Sequence, residues 1–143
     1  MKINTKIRYG LRTMIEIASS GNQDGVLQKD IAKNQNISLK YLDPIIASLK
    51  LKQLIVNSKG KGSGYVLAKP AEKISMLDIY TAFERIEIVE CINNYEFCVR
   101  STHDCKANNY WMEFGRDFIE LLAKRNLKEI LERTKYVCTD CER

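Results

Sequence analysis

Apolar positions near the start of the chain repeat with a helical period. Ile7, Leu11, Met14, Ile15 and Ala18 fall at i, i+4, i+7, i+8 and i+11, one face of an amphipathic helix over residues 5–19. Gly21-Asn22-Gln23-Asp24-Gly25 breaks the pattern as a loop. Residues 26–35 read as a shorter second helix, with Leu27, Ile31 and Ala32 apolar. After the polar turn Asn34-Gln35-Asn36, Ser38 is an N-cap for a third helix whose inner face is Leu42, Ile45, Ile46 and Leu49. Pro44 lies well inside that helix and removes a backbone donor, so either the helix starts later than Ser38 or its first turn is irregular. Two short helices on a tight turn, the second polar and basic at its start, form the helix-turn-helix pattern.

The period then changes. Leu54-Ile55-Val56-Asn57-Ser58 and Tyr65-Val66-Leu67 flank the basic, glycine-rich tip Lys59-Gly60-Lys61-Gly62-Ser63-Gly64, which predicts a hairpin; a hairpin directly after a helix-turn-helix is a wing. The alternating glycines do not make a nucleotide loop, because such loops run from strand into helix and this one runs from strand to strand. Ser75-Met76-Leu77-Asp78 is a capping box that opens a helix through Tyr80 and Phe83 to about Glu84. Residues 90–109 lose all periodicity and are rich in asparagine, so they read as loop. From Tyr110 a long helix carries Trp111, Phe114, Phe118, Leu121 and Leu122 on one face; Trp111, Phe114 and Phe118 read either as ordinary core or, in a chain this small, as a stripe covered by a second copy. Gly115 on that helix costs ~1 kcal/mol relative to alanine unless something packs close to it. Leu127, Ile130 and Leu131 make a last short amphipathic segment.

The predicted fold is mainly α with a small β-hairpin wing (a winged helix-turn-helix) plus a long C-terminal dimerisation helix. The divisions are a DNA-binding domain over residues 1–84, a cysteine-containing sensor loop over 85–109, a dimerisation helix region over 110–135 and a polar tail over 136–143.

Composition places this pattern in an ordinary globular chain: 143 residues, 45% hydrophobic and 29% charged. No apolar run is long enough to cross a membrane, and the N-terminal residues lack the apolar core of a signal peptide, so the expected compartment is the cytoplasm. Charge is unevenly spread. Residues 1–70 hold 12 Lys/Arg against 4 Asp/Glu, and residues 71–143 hold 11 against 14. A basic first half suits a polyanion such as double-stranded DNA.

All five cysteines lie in the second half: Cys91, Cys98, Cys105, Cys138 and Cys141. In a cytoplasmic protein such clustering points to metal, cluster or redox chemistry rather than a disulfide framework. Cys91, Cys98 and Cys105 are seven apart in a polar, asparagine-rich run, so their thiols can converge on one centre, an iron–sulfur cluster or zinc. The plainer reading is three buried or idle thiols. Cys138 and Cys141 form a C-x-x-C outside any thioredoxin-like context, which leaves a labile disulfide, extra metal ligands or no role.

Several stretches, in order, resemble one family. They are Arg8-Tyr9-Gly10-Leu11-Arg12, Ile31-Ala32, Ile37-Ser38-Leu39-Lys40-Tyr41-Leu42, Gly60-Lys61-Gly62-Ser63-Gly64-Tyr65-Val66-Leu67-Ala68-Lys69-Pro70 and Ile74-Ser75-Met76-Leu77-Asp78-Ile79. Over residues 1–131 the chain is similar to the bacterial winged-helix regulators typified by the cluster regulator IscR, the nitric-oxide sensor NsrR and the cysteine-metabolism regulator CymR. The resemblance implies a homodimeric, non-enzymatic transcription factor on a pseudo-palindromic operator.

Ser38, Leu39, Lys40 and Tyr41 at the start of the recognition helix are then expected at base edges and phosphates, and Lys59, Lys61 and Ser63 on the wing at the minor groove or phosphates. Arg8 and Tyr9 match first-helix backbone contacts, or are simply a surface charge and a half-buried aromatic. Cluster-binding members carry a cysteine trio at this place, so Cys91, Cys98 and Cys105 resemble the ligands of an iron–sulfur cluster, [2Fe–2S] in type, with zinc as the alternative. The fourth ligand departs from the pattern. Asn108 stands where IscR-like members have histidine, and Arg8 where NsrR-like members have aspartate. His103, Asp104, Cys138 or Cys141 remain as candidates.

Overall fold

The computed structural model describes residues 3–59, 62–93 and 105–133. Its helices are α1 (Thr5–Ser19), α2 (Gln28–Gln35), α3 (Leu39–Leu51), α4 (Met76–Thr81), α5 (Glu90–Asn93), α6 (Lys106–Lys124) and α7 (Leu127–Glu132). Strands β1 (Ile55–Asn57) and β2 (Tyr65–Leu67) form one antiparallel hairpin, with Ile55 opposite Leu67, Val56 opposite Val66 and Asn57 opposite Tyr65. The architecture is the mainly helical, winged one that the periodicity predicts.

α1 starts at its Asn4 cap, whose side chain accepts the Lys6 N–H at 2.8 Å, and buries Ile7, Met14 and Ile17. α2 begins at Gln28, two residues later than the pattern suggests, because Val26 is used as a bridge to Tyr65. The α2–α3 turn is closed by Asn36 in the left-handed conformation (φ 51°). The Asn36 N–H donates to the Lys33 carbonyl and the Ile37 N–H to the Ala32 carbonyl, at 3.3 and 2.9 Å, which is a Schellman closure. α3 closes the same way. Gln53 is left-handed (φ 57°), and the Gln53 and Leu54 N–H groups donate to the Lys50 and Leu49 carbonyls at 2.9 and 3.0 Å. In both closures the following apolar residue, Ile37 or Leu54, is buried in the core.

The structure decides the question Pro44 raised. α3 begins directly after Ser38, whose Oγ accepts the Tyr41 N–H at 3.2 Å, and runs through Pro44. The Ser38 carbonyl accepts from both Tyr41 and Leu42, so the first turn is tightened. Pro44 and Lys40, whose carbonyl loses its i+4 donor, are both exposed residues.

The core gathers Met14, Ile31, Leu42, Ile45, Leu49, Leu54, Ile55, Ile74 and Ile79. Leu127 of α7 joins it, fully buried. It is seated by two backbone bonds, Met76 N–H to the Arg125 carbonyl at 2.7 Å and Leu127 N–H to the Ile74 carbonyl at 2.8 Å. α4 has the predicted capping box, Ser75 N–H to Asp78 Oδ2 at 2.9 Å and Asp78 N–H to Ser75 Oγ at 3.1 Å.

Two expectations need correction. Residues 90–109 are not one loop, since Glu90–Asn93 is a helical turn and α6 starts at Lys106, before Tyr110. The reason is visible on α6: its buried residue is the polar Asn108, so the first turn carries no apolar period to read. On the rest of α6, Phe118 and Leu122 are half-buried, Phe118 meeting Tyr80 edge-on at 6.0 Å, while Trp111, Phe114 and Leu121 stay exposed. Gly115 is not required for close packing, because a Cβ there would meet only Ile88 Cγ1 at 3.4 Å.

Gly10 is required. A Cβ on it would lie 2.2 Å from the Phe83 ring, which rests on α1. Gly10→Ala gains about 1 kcal/mol of helix propensity but forces that ring out, an overpacking cost of about 1–3 kcal/mol. The expected outcome is a lower melting temperature, partly recovered by Phe83→Leu in the same chain; thermal melts check it, and a rise for Gly10→Ala alone contradicts it.

Candidate nucleic-acid interface

The exposed start of α3 is built from its cap outward. Ser38, Leu39, Lys40 and Tyr41 are all exposed, Leu39 by 51% and Tyr41 by 39%. The inner face of the same helix, Leu42, Ile45, Ile46 and Leu49, is locked in the core, so the outer residues are held on a fixed rod. The Ser38 oxygen is engaged as the cap, and its hydroxyl proton remains a donor.

α1 steadies this end of α3. Tyr9 meets Tyr41 edge-on at 5.5 Å, and the Arg12 guanidinium lies 5.3 Å from the Tyr9 ring centroid. Arg12 Nε donates to Gln35 Oε1 at 3.0 Å, and its other nitrogen reaches the Gln35 carbonyl. Glu16 accepts from the Asn34 and Gln35 amides at 2.7 and 2.6 Å. Tyr9 is therefore a half-buried packing residue, whereas Arg8 beside it is exposed. Sequence reasoning found neither Arg12 nor Glu16 as a turn clamp, since the partners lie about twenty residues away and leave no local signal.

The wing is seated by glycine. The Val26 N–H donates to the Tyr65 carbonyl and the Tyr65 N–H to the Val26 carbonyl, at 3.0 and 2.8 Å. One residue away, a Cβ on Gly64 would lie 2.4 Å from the backbone of Gly25 and Val26, so the two segments touch main chain to main chain. Ser58 Oγ donates to the Asp24 carbonyl and Ser63 Oγ to the Ser58 carbonyl. Lys59 projects past β1 as an exposed cation. Lys61 lies outside the described residues.

The two described cysteines lie on different elements. Cys91 sits on α5 and Cys105 caps α6; both are half-buried free thiols, and α5 packs on α6. Asn108, one turn into α6, is 9% exposed, donates its N–H to the Cys105 carbonyl at 3.0 Å and leaves its buried Oδ1 without a partner. Cys98, His103, Asp104, Cys138 and Cys141 lie outside the described residues. Among the described residues no group of three acidic, histidine or cysteine side chains gathers around one point. Burial, and secondarily the Glu84 carboxylate, push the Tyr80 phenol above its ordinary pKa, so it stays a neutral part of the α4–α6 contact. No helix is long and apolar enough to cross a membrane, a statement that covers the described residues.

The family model Rrf2, described as an iron-dependent transcriptional regulator, matches residues 3–133. Protein rrf2 of Nitratidesulfovibrio vulgaris is 35% identical over 132 residues, covering 92% of this chain and 87% of its own. The HTH-type transcriptional regulator IscR of Erwinia tasmaniensis is 27% identical over 132 residues, 92% of this chain and 79% of its own. Among solved structures, CymR, the global cysteine regulator of B. subtilis, matches with a TM-score of 0.74 at 28% identity, covering 94% of this chain and 99% of that one.

Proposed function

This chain belongs to the Rrf2 family of DNA-binding transcriptional regulators and is not an enzyme, and from that premise we propose that it binds a pseudo-palindromic operator as a homodimer, with an iron–sulfur cluster on Cys91, Cys98 and Cys105 controlling its affinity. The observation that supports the DNA reading most is the exposed Ser38–Tyr41 start of a helix whose other face is buried. Ser38 and Lys40 offer donors to base edges, Leu39 an apolar contact, and Tyr41 and Arg8 are available to phosphates, with Tyr9 packed behind Tyr41. Lys59, with Lys61 and Ser63, takes the wing to the minor groove or its phosphates. Lysine supplies charge there without a bidentate fork.

The exposed face of α6, with Trp111, Phe114 and Leu121, supports a second copy as its cover. Such a dimer presents two recognition helices to two half-sites.

The donor set fits a cluster chemically. Thiolates are soft ligands, Cys91 and Cys105 are in no disulfide, and the orphaned Asn108 Oδ1 lies one turn from Cys105. A bound cluster supplies a centre that responds to iron supply, oxygen or nitric oxide. The protein's share would be mechanical: Cys91 and Cys105, as ligands of one centre, would tie α5 to the start of α6. The chain entering α5 comes from Phe83, which lies on Gly10 of α1, beside Tyr9. A ligand shifts DNA affinity only by its differential affinity for two states.

A second reading keeps the regulator and replaces the cluster with zinc, thiol oxidation or a cysteine-metabolism partner protein. Asn108 in place of histidine and the likeness to CymR favour it.

Lys59→Ala is expected to lower the slope of log affinity against log salt by about one unit; a salt titration with the slope unchanged takes the wing out of the interface. Protein purified without oxygen is expected to be coloured, with matched iron and acid-labile sulfide, and Cys91→Ala to change operator affinity while staying folded. Colourless protein after anaerobic reconstitution selects the second reading. Leu121→Glu is expected to yield monomers in sedimentation and to weaken operator binding; an intact dimer places the interface elsewhere.

A further inference from the structure

A set of polar contacts joins the recognition helix to the wing without belonging to the core. Lys50, in the last turn of α3, donates from Nζ to Asn57 Oδ1 at 2.9 Å, and the same ammonium lies 5.9 Å from the Tyr65 ring centroid. Asn57 and Tyr65 are partners across the β1–β2 ladder. The Tyr65 hydroxyl makes a long bond, 3.4 Å, to Gln28 Oε1 at the start of α2, and the Gln28 amide donates to Asp43 Oδ1 in the middle of α3. The path leaves α3 at Lys50, crosses both strands and returns to α3 at Asp43. Tyr65 is its hub, because its backbone is also bonded to Val26 on the other side.

The wing needs such a fixture. Its strands are three residues each, and a two-stranded hairpin is marginal on its own. Beyond Ile55, the β1 residues Val56 and Asn57 are exposed, whereas Tyr65 and Leu67 of β2 are half-buried against the core, so packing seats the wing from the β2 side and the polar contacts add a hold on the β1 side. Lys50, Asn57 and Asp43 are exposed, and contacts of this kind add little to global stability. What they restrict is orientation.

We infer that Lys50 and Tyr65 are positioning residues: with Asn57, Gln28 and Asp43 they brace the wing at one angle to the recognition helix, so that Lys59 and Ser38–Tyr41 engage the duplex together. This rests on the DNA-binding reading above. A braced wing reaches the duplex already ordered, and an unbraced wing loses affinity to ordering without losing a contact. The competing role for Lys50 is a direct phosphate contact, and the two roles separate experimentally.

The test uses the full chain, its Lys50→Met, Lys50→Arg and Tyr65→Phe variants, and a duplex that the wild-type protein selects from a random-sequence pool. Melting temperatures are expected to stay within about 2 °C. In the free protein, hydrogen exchange at the Ser58 and Gly64 amides is expected to quicken about threefold or more in Lys50→Met and to a smaller extent in Tyr65→Phe. Lys50→Arg, which keeps the cation and donor, restores the wild-type rate. On the duplex, the penalty of Lys59→Ala is expected to shrink in the Lys50→Met background, the signature of residues acting as a unit. Unchanged exchange in both Lys50→Met and Tyr65→Phe overturns the brace. So do additive penalties with the salt slope lowered by about one for Lys50→Met, which makes Lys50 a phosphate ligand. A wild-type protein that selects no duplex refutes the DNA reading instead, and the exchange rates still decide the brace.

Discussion

The outer face of α3 is as steady as its two ends, and both ends are held by a left-handed residue followed by a buried one. Asn36 reverses the chain so that Ile37 enters the core before α3 begins, and Gln53 does the same for Leu54 after α3 ends. Neither position is glycine. Asparagine tolerates that conformation well; for glutamine the cost is of order 1 kcal/mol, offset by the burial of Leu54. With both ends anchored, the helix cannot slide along its axis without pulling an apolar residue into water. Everything displayed on its outer side inherits that register, and the wing inherits it too, because β1 starts at the residue after Leu54.

Local signals make the winged helix-turn-helix legible. Ser38 is a cap because the hydroxyl sits where an unpaired helix-start N–H needs it, and the Ser75–Asp78 box is reciprocal within four residues. The hairpin follows from β-rich runs about a basic, glycine-rich tip, and the family resemblance from motifs that fall on these same elements. What the sequence hid was non-local. Gly64 reads as loop permissiveness, yet its missing side chain makes room for the backbone of Gly25, which follows a loop in sequence far from the wing. Pro44 reads as a sign of a late start or an irregular first turn, and α3 starts directly after Ser38 and passes through Pro44 on its exposed face.

The candidate site shows the same division. Ser38 to Tyr41 stand where periodicity puts them, on the outer side of a helix whose inner side is core, and Arg8, taken from the resemblance, and Lys59, taken from the basic hairpin tip, are exposed as well. Tyr9 is the mixed case, since Tyr41 and Arg12 hold it as packing. The cysteine region was the least readable. Its polar composition suggests one continuous loop, but Cys91 lies on a helical turn and Cys105 at the cap of α6, and the buried residue of α6 is an asparagine that no hydrophobic pattern reveals.

Leu127 has a consequence for how the protein is made. It completes a core whose other members come mostly from the first eighty residues, such as Met14, Ile31 and Leu49. Leaving its place empty is equivalent to a large-to-small core substitution, about 2–5 kcal/mol, a sizeable share of the roughly 5–15 kcal/mol that a domain commands. Synthesis delivers the N-terminal half first. A growing chain therefore exposes its helix-turn-helix and wing before it owns the residue that secures them, and the finished outer face of α3 is reached only late in translation.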